Sequence, residues 1–184
     1  MSLEPPTRLE RPADPERPAC VYKENAPLAE LATAELLAVA TIRLWALPFK
    51  DPETSHPDWR AGLSAAGIED EGVPAFDILF RIVIQASLRP LDVRCPRCAR
   101  LGQDEAWLLQ LVSLLQRDRL GEAAAVLEEW IPPAARRMAM LPAKGFADAL
   151  SGAGLRIPLR HREAAAIAAP GSAAYADRGL TLVQ

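Results

Sequence analysis

A chain of 184 residues, half of them hydrophobic and 24% charged, has the size and balance of one ordinary globular domain that can bury a core without disulfides or metal. Its net charge of −3 argues against a general nucleic-acid binder, which needs a basic surface. Three cysteines, two of them close together, do not make a disulfide framework.

Alanine and leucine supply about a third of the chain, and both are strong helix formers, so the composition leans towards an all-α fold. The basic residues are nearly all arginine, with Lys23, Lys50 and Lys144 the exceptions, a bias expected of a GC-rich bacterial genome. The first residues, MSLEPPTRLERP, lack the apolar stretch of a secretory signal. The longest apolar stretch, residues 28–47, contains Glu30, Glu35 and Arg43, which reads as a soluble helix and not a membrane span. The expected location is the cytoplasm.

Residues 1–24 hold Pro5, Pro6, Pro12, Pro15 and Pro18 among charged residues and read as an extended arm. A helical domain is expected over 25–168, followed by an irregular tail over 169–184. The first helix should open at Asn25 and Pro27, carry Leu28, Leu31, Leu36, Val39, Ile42 and Leu47 on its inner face, and end at Pro48. After a turn-rich loop, Asp58 can cap a short helix through Ala66. Residues 74–88 are apolar nearly all round and read as the central helix, with Asp77, Arg81 and Gln85 forming a polar edge at spacing four. A short extended piece, LDVR, leads to Cys95-Pro96-Arg97-Cys98. Asp104 and Glu105 open the next helix, and a join at 117–121 folds it against a partner helix carrying Leu120, Leu127, Trp130 and Ile131. Pro132 and Pro133 start a further helix to about Leu150, where Pro142 should kink or split it. A last short helix is expected over 160–168. The whole is a compact bundle of about six helices. Only LDVR and LTLV are candidate strands. The hairpin over 104–131 resembles a single tetratricopeptide-type unit, and one unit without repeats implies nothing about function.

Charge comes in blocks. Residues 51–77 hold seven acids against Arg60, residues 81–100 five arginines against Asp92, residues 104–129 six acids against Arg117 and Arg119, and residues 136–162 six bases against Asp148. Such blocks either form solvated helix faces or pack against one another within the fold or between copies.

Cys95 and Cys98 are the sharpest chemical feature. Cysteines two apart can clamp one metal ion, zinc being the candidate, but a structural zinc needs two further ligands. Cys20, His56, His161, Asp92 and Asp104 are the choices, none at knuckle spacing. The surrounding arginines and the following helix start also suit a redox dithiol. Cys-Pro-x-Cys resembles the active-site motif of thiol oxidoreductases such as glutaredoxins; that resemblance implies a βαβ context, which the pattern of elements here does not offer. The plain alternative is a reduced, inert pair at a turn. Arg94, Arg97 and Arg100 around the pair, and Trp59 beside a loop, are candidate partner-binding residues. Trp45, Trp107 and Trp130 fall on apolar faces and read as core. Nucleic acid is disfavoured, because Glu122, Glu128 and Glu129 on the second hairpin helix repel phosphates. No glycine-rich phosphate loop, GxSxG or HExxH is present. The expectation is therefore a non-catalytic module acting through a protein partner or self-association. A metal-binding or thiol redox protein centred on Cys95 and Cys98 is the alternative.

Overall fold

The computed structural model describes residues 19–23, 25–68 and 70–160. Among the described residues six α-helices carry the fold: α1 (Thr33–Lys50), α2 (Arg60–Ala65), α3 (Gly72–Ala86), α4 (Gln103–Leu115), α5 (Leu120–Leu127) and α6 (Pro133–Gly152). A 3-10 turn, Leu28–Glu30, precedes α1. Among the described residues there is no β-strand, only an isolated antiparallel bridge between Pro27 and Arg100, and no helix is long and apolar enough to cross a membrane. LDVR is extended but unpaired as a strand, and LTLV lies outside the described residues, as do residues 1–18 and the expected helix beyond Arg160.

The helix at the centre is α4, not α3. Every residue of α4 from Asp104 to Leu115 is buried. By contrast α3 leaves Ile78 49% and Ile84 40% exposed. The reason is that α4 uses its polar groups inwards: Asp104, Glu105, Gln110 and Ser113 all bond to neighbouring segments, so a helix of mixed composition can be wrapped on every side. Helix α5 returns along α4 as the expected antiparallel hairpin.

Small residues let α3 and α6 come close and antiparallel. A Cβ on Gly72 would lie 2.9 Å from Ala149, and one on Gly145 would lie 3.4 Å from Ala75. One turn further in, Phe76 meets Phe146 with ring centroids 4.9 Å apart. These rings continue through Phe80 to Trp45 and Trp130, and Trp59 closes on Phe76 at 5.6 Å. This aromatic cluster is the inner core, and Trp45, Trp107 and Trp130 are buried as expected.

Three element boundaries depart from the sequence pattern. Helix α1 starts at Thr33, because Leu28 N–H and Ala26 C=O are spent on the loop strand at Ala99 and Leu101. Asn25 sits in the left-handed region, φ 53°, which asparagine tolerates, and turns the chain instead of capping a helix. Glu35 then reaches back to the Ala32 N–H at 2.6 Å and supplies the start signal. Helix α1 also runs two residues past Pro48, and α6 runs unbroken through Pro142. A proline inside a helix costs about 3 kcal/mol. In α6 the buried Ala139, Ala143, Phe146 and Leu150 on both sides of Pro142 hold the helix together.

Extended straps finish the fold. Residues 19–23, the end of the expected arm, lie on α4, where Gln110 accepts from Val21 N–H and donates to Ala19 C=O. Residues 155–160 run beside them along the same helix, held by Gln116 to Leu155 and Ile157 and by Ser113 to Pro158. The two straps meet at Glu35, which is fully buried and accepts from Tyr22 Oη at 2.6 Å and from the Arg160 guanidinium at 2.8 and 2.9 Å.

Candidate functional site

The segment between α3 and α4, residues 87–102, carries the cysteine pair and three of the candidate arginines. Nothing in its sequence is regular, yet it is tied down at almost every residue. Many of the ties come from two adjacent carboxylates at the start of α4, and others from Lys50 and the backbone of Ala26 and Leu28.

Glu105 forms a two-pronged ion pair with Arg43 of α1, at 2.8 and 2.7 Å, with both side chains fully buried or nearly so. Each partner then holds the loop. Arg43 donates to Cys98 C=O at 2.6 Å and to Arg100 C=O at 2.7 Å. Glu105 accepts from Arg94 N–H at 2.8 Å and from Gly102 N–H at 2.7 Å. The turn bearing Cys95 and Cys98 is thus stapled on both flanks by one buried pair. Asp104 does the same for the start of the loop: it takes both prongs of Arg89, at 2.8 and 2.6 Å, the Asp92 N–H, and the Trp130 indole N–H at 2.8 Å. Asp92 closes the circuit by accepting Gln103 N–H at 2.9 Å. From α1, the Lys50 ammonium donates to Val93 C=O.

The basic block over 81–100 therefore pairs partly within the fold, Arg89 with Asp104 and Arg81 with Asp77. The later blocks do likewise, Arg136 with Glu128 and Lys144 with Asp118 and Asp148. Arg97 is exposed and has no acidic partner among the described residues; there the Arg100 guanidinium bonds the backbone oxygen of Asn25, at 3.3 Å. Arg94 contacts Asp92 and the Asn25 side chain.

The two cysteines stand together at the surface. Cys98 N–H bonds Cys95 C=O at 3.0 Å and closes the turn, with Cys95 exposed, Cys98 half-buried and both thiols free. The other expected ligands are elsewhere employed. Asp92 and Asp104 bond the backbone and arginines as above. His56 meets the backbone oxygen of Asp51 at 2.6 Å. Cys20 is half-buried, and burial pushes its thiol pKa up, so it stays protonated near neutral pH. His161 lies outside the described residues. Among the described residues no three of His, Cys, Asp and Glu are grouped to hold a metal. Trp59 does not join the site either. It is 8% exposed, its ring packs on Phe76, and the Arg60 guanidinium covers it at 4.5 Å.

One feature escaped the sequence reading. At the Lys50 end of the loop lies an apolar pocket of about 140 Å³, lined by Trp45, Phe49, Phe80, Ile84, Leu91 and Val93. Of its lining, Phe49 is 56% and Ile84 40% exposed, so the pocket opens on an apolar rim. Arg43 and Lys50 are seven residues apart on α1, about 10 Å along the helix axis at 1.5 Å per residue. The pocket and the cysteine turn therefore lie along one side of α1, joined by the loop. A larger, polar pocket of about 270 Å³ sits between the two straps. Its side chains Gln110, Ser113, Arg119 and Arg160 are already bonded to neighbouring protein groups, which marks a packing seam. Compared with protein-family models, curated proteins and solved structures, the chain matches none.

Proposed function

We propose that this protein is a non-catalytic binding module whose recognition element is the loop over residues 87–102 together with the apolar pocket at its Lys50 end. The observation that carries the reading is the double use of the Arg43 and Glu105 pair. Taking two charges out of water costs several kcal/mol per ion, roughly offset by their attraction. Here the pair's remaining hydrogen bonds all go to the backbone of an exposed loop. That arrangement presents a surface in one conformation, which lowers the ordering cost of binding.

The chemistry of the face selects the partner. A shallow apolar pocket accepts one bulky side chain, and along the same loop Arg97 and Arg100 have no acidic partner among the described residues. A protein segment with an aromatic or aliphatic anchor followed by acidic residues satisfies both features. The net negative charge of the chain and the acidic hairpin weigh against nucleic acid as the occupant.

Selection of a displayed random peptide library on the folded protein tests this. Enriched sequences are expected to combine one large apolar residue with acids, and to bind at least about tenfold more weakly to I84D and to R97E/R100E, equivalent to about 1.4 kcal/mol. Peptides with no acidic bias, or binding indifferent to both variants, would sink the reading.

A further inference from the structure

We propose that Cys95 and Cys98 form half of a zinc site that is completed by the same two cysteines of a second copy, so that zinc joins two chains. This inference rests on the cysteine turn alone and does not depend on the pocket reading.

Two thiols at this spacing can hold one ion, and zinc in a structural site takes four ligands in a tetrahedron, with sulfur at about 2.3 Å. Within one chain the described residues offer no third ligand: Cys20 is half-buried and held protonated by that burial, His56 is occupied by Asp51, and Asp92 and Asp104 are committed to the loop. A half-site with open positions, one cysteine exposed and the other half-buried at the surface, is what a two-fold dimer completes, because each copy supplies identical groups across the axis.

The mounting of the turn supports a site between chains. A zinc site inside a small domain commonly supplies the folding energy of its own loop. Here the Arg43 and Glu105 pair already fixes Arg94, Cys98 and Arg100, so the turn keeps its shape without metal. Metal is free to act on association instead of on folding.

Charge makes the association conditional. Arg94, Arg97 and Arg100 give each turn a positive surround, opposed nearby by Asp92, so two metal-free turns repel. Four thiols binding one Zn²⁺ release four protons and leave a centre of charge −2, which the surrounding arginines stabilise on both sides.

The test uses the full chain, reduced and stripped of metal, titrated with zinc sulfate and followed by native mass spectrometry and light scattering. The expected result is a dimer carrying one zinc per two chains, reversed by EDTA, with helical circular dichroism the same in both states. Cobalt(II) in place of zinc should show the thiolate charge-transfer band of a four-sulfur site. C95S and C98S should each weaken zinc binding more than about 100-fold, beyond the loss caused by removing an outer partner. C20S should leave it unchanged. One zinc per monomer, no zinc binding, or a zinc dimer that survives the C95S/C98S double change would each overturn the proposal. Loss of helix on adding EDTA would also count against it, since the metal would then be serving the fold.

Discussion

Replacing Arg43 by Met and Glu105 by Leu, singly and together, tests whether the buried pair serves the loop or only itself. Each single change leaves a buried charge without its partner, which costs about 3–5 kcal/mol. If the pair served only itself, the double change would restore parental stability, since an apolar pair of similar volume often matches a buried ion pair. The structure says otherwise. The double variant orphans Cys98 C=O, Arg100 C=O, Arg94 N–H and Gly102 N–H. A buried polar group left unpaired costs about 1–3 kcal/mol, and those at exposed positions recover part of this from water. The double variant should then lie about 5 kcal/mol below the parent, against roughly 8 for the sum of the singles, a coupling of about 3 kcal/mol. Urea unfolding with the slope held fixed gives these values. Glu105→Gln keeps the side-chain shape in a milder background, and faster amide exchange at Arg94 and Gly102 should accompany it. A double variant as stable as the parent would refute the idea that this pair holds the loop.

The two straps predict acid sensitivity. Burial alone would raise the Glu35 carboxyl, but bonds from Arg160, Tyr22 and the Ala32 N–H outweigh it and leave the pKa below the ordinary glutamate range. A pKa depressed in the folded state contributes stability that is full above about pH 4.3 and is lost as pH falls through the folded value. Glu35→Gln should therefore flatten the fall in urea midpoint below that pH, and an unchanged slope would contradict the network. A Cβ at Gly102 would lie 2.5 Å from the Asp92 backbone oxygen, and alanine is a poorer N-cap than glycine, so Gly102→Ala should cost about 1–3 kcal/mol. Thermal melting measures this, and a neutral result would mean that the loop yields. Thiol labelling of the folded, metal-free protein should proceed fastest at Cys95 and slowest at Cys20, where burial raises the thiol pKa. Peptide mapping of the label reads the order, and fast labelling of Cys20 would show that the 19–23 strap does not hold.

Much of the fold was legible because it is local. Helical spacing of leucine and alanine, the Asp104 and Glu105 start, the Pro132 and Pro133 break and the short join at 117–121 all act within a few residues, and α4, α5 and the start of α6 appear where those signals put them. The spacing of Asp77 and Arg81 likewise predicted their pair, now 2.8 Å apart. Which helix is central was not legible. Apolarity favoured 74–88, whereas α4 is wrapped because its carboxylates and amides meet groups 11 to 91 residues away in the chain, a matching that no local pattern encodes. Helix starts and prolines failed for the same reason: the Pro27 and Arg100 bridge and the packing around Pro142 are tertiary forces set against local preference. The site divides along the same line. Residue chemistry and spacing alone singled out Cys95, Cys98 and the arginines. Their rigid mounting, the burial of Trp59 and the pocket beside Lys50 arise only when α1, α3 and the loop are brought together, because burial and hydrogen-bond partners are properties of the assembled chain.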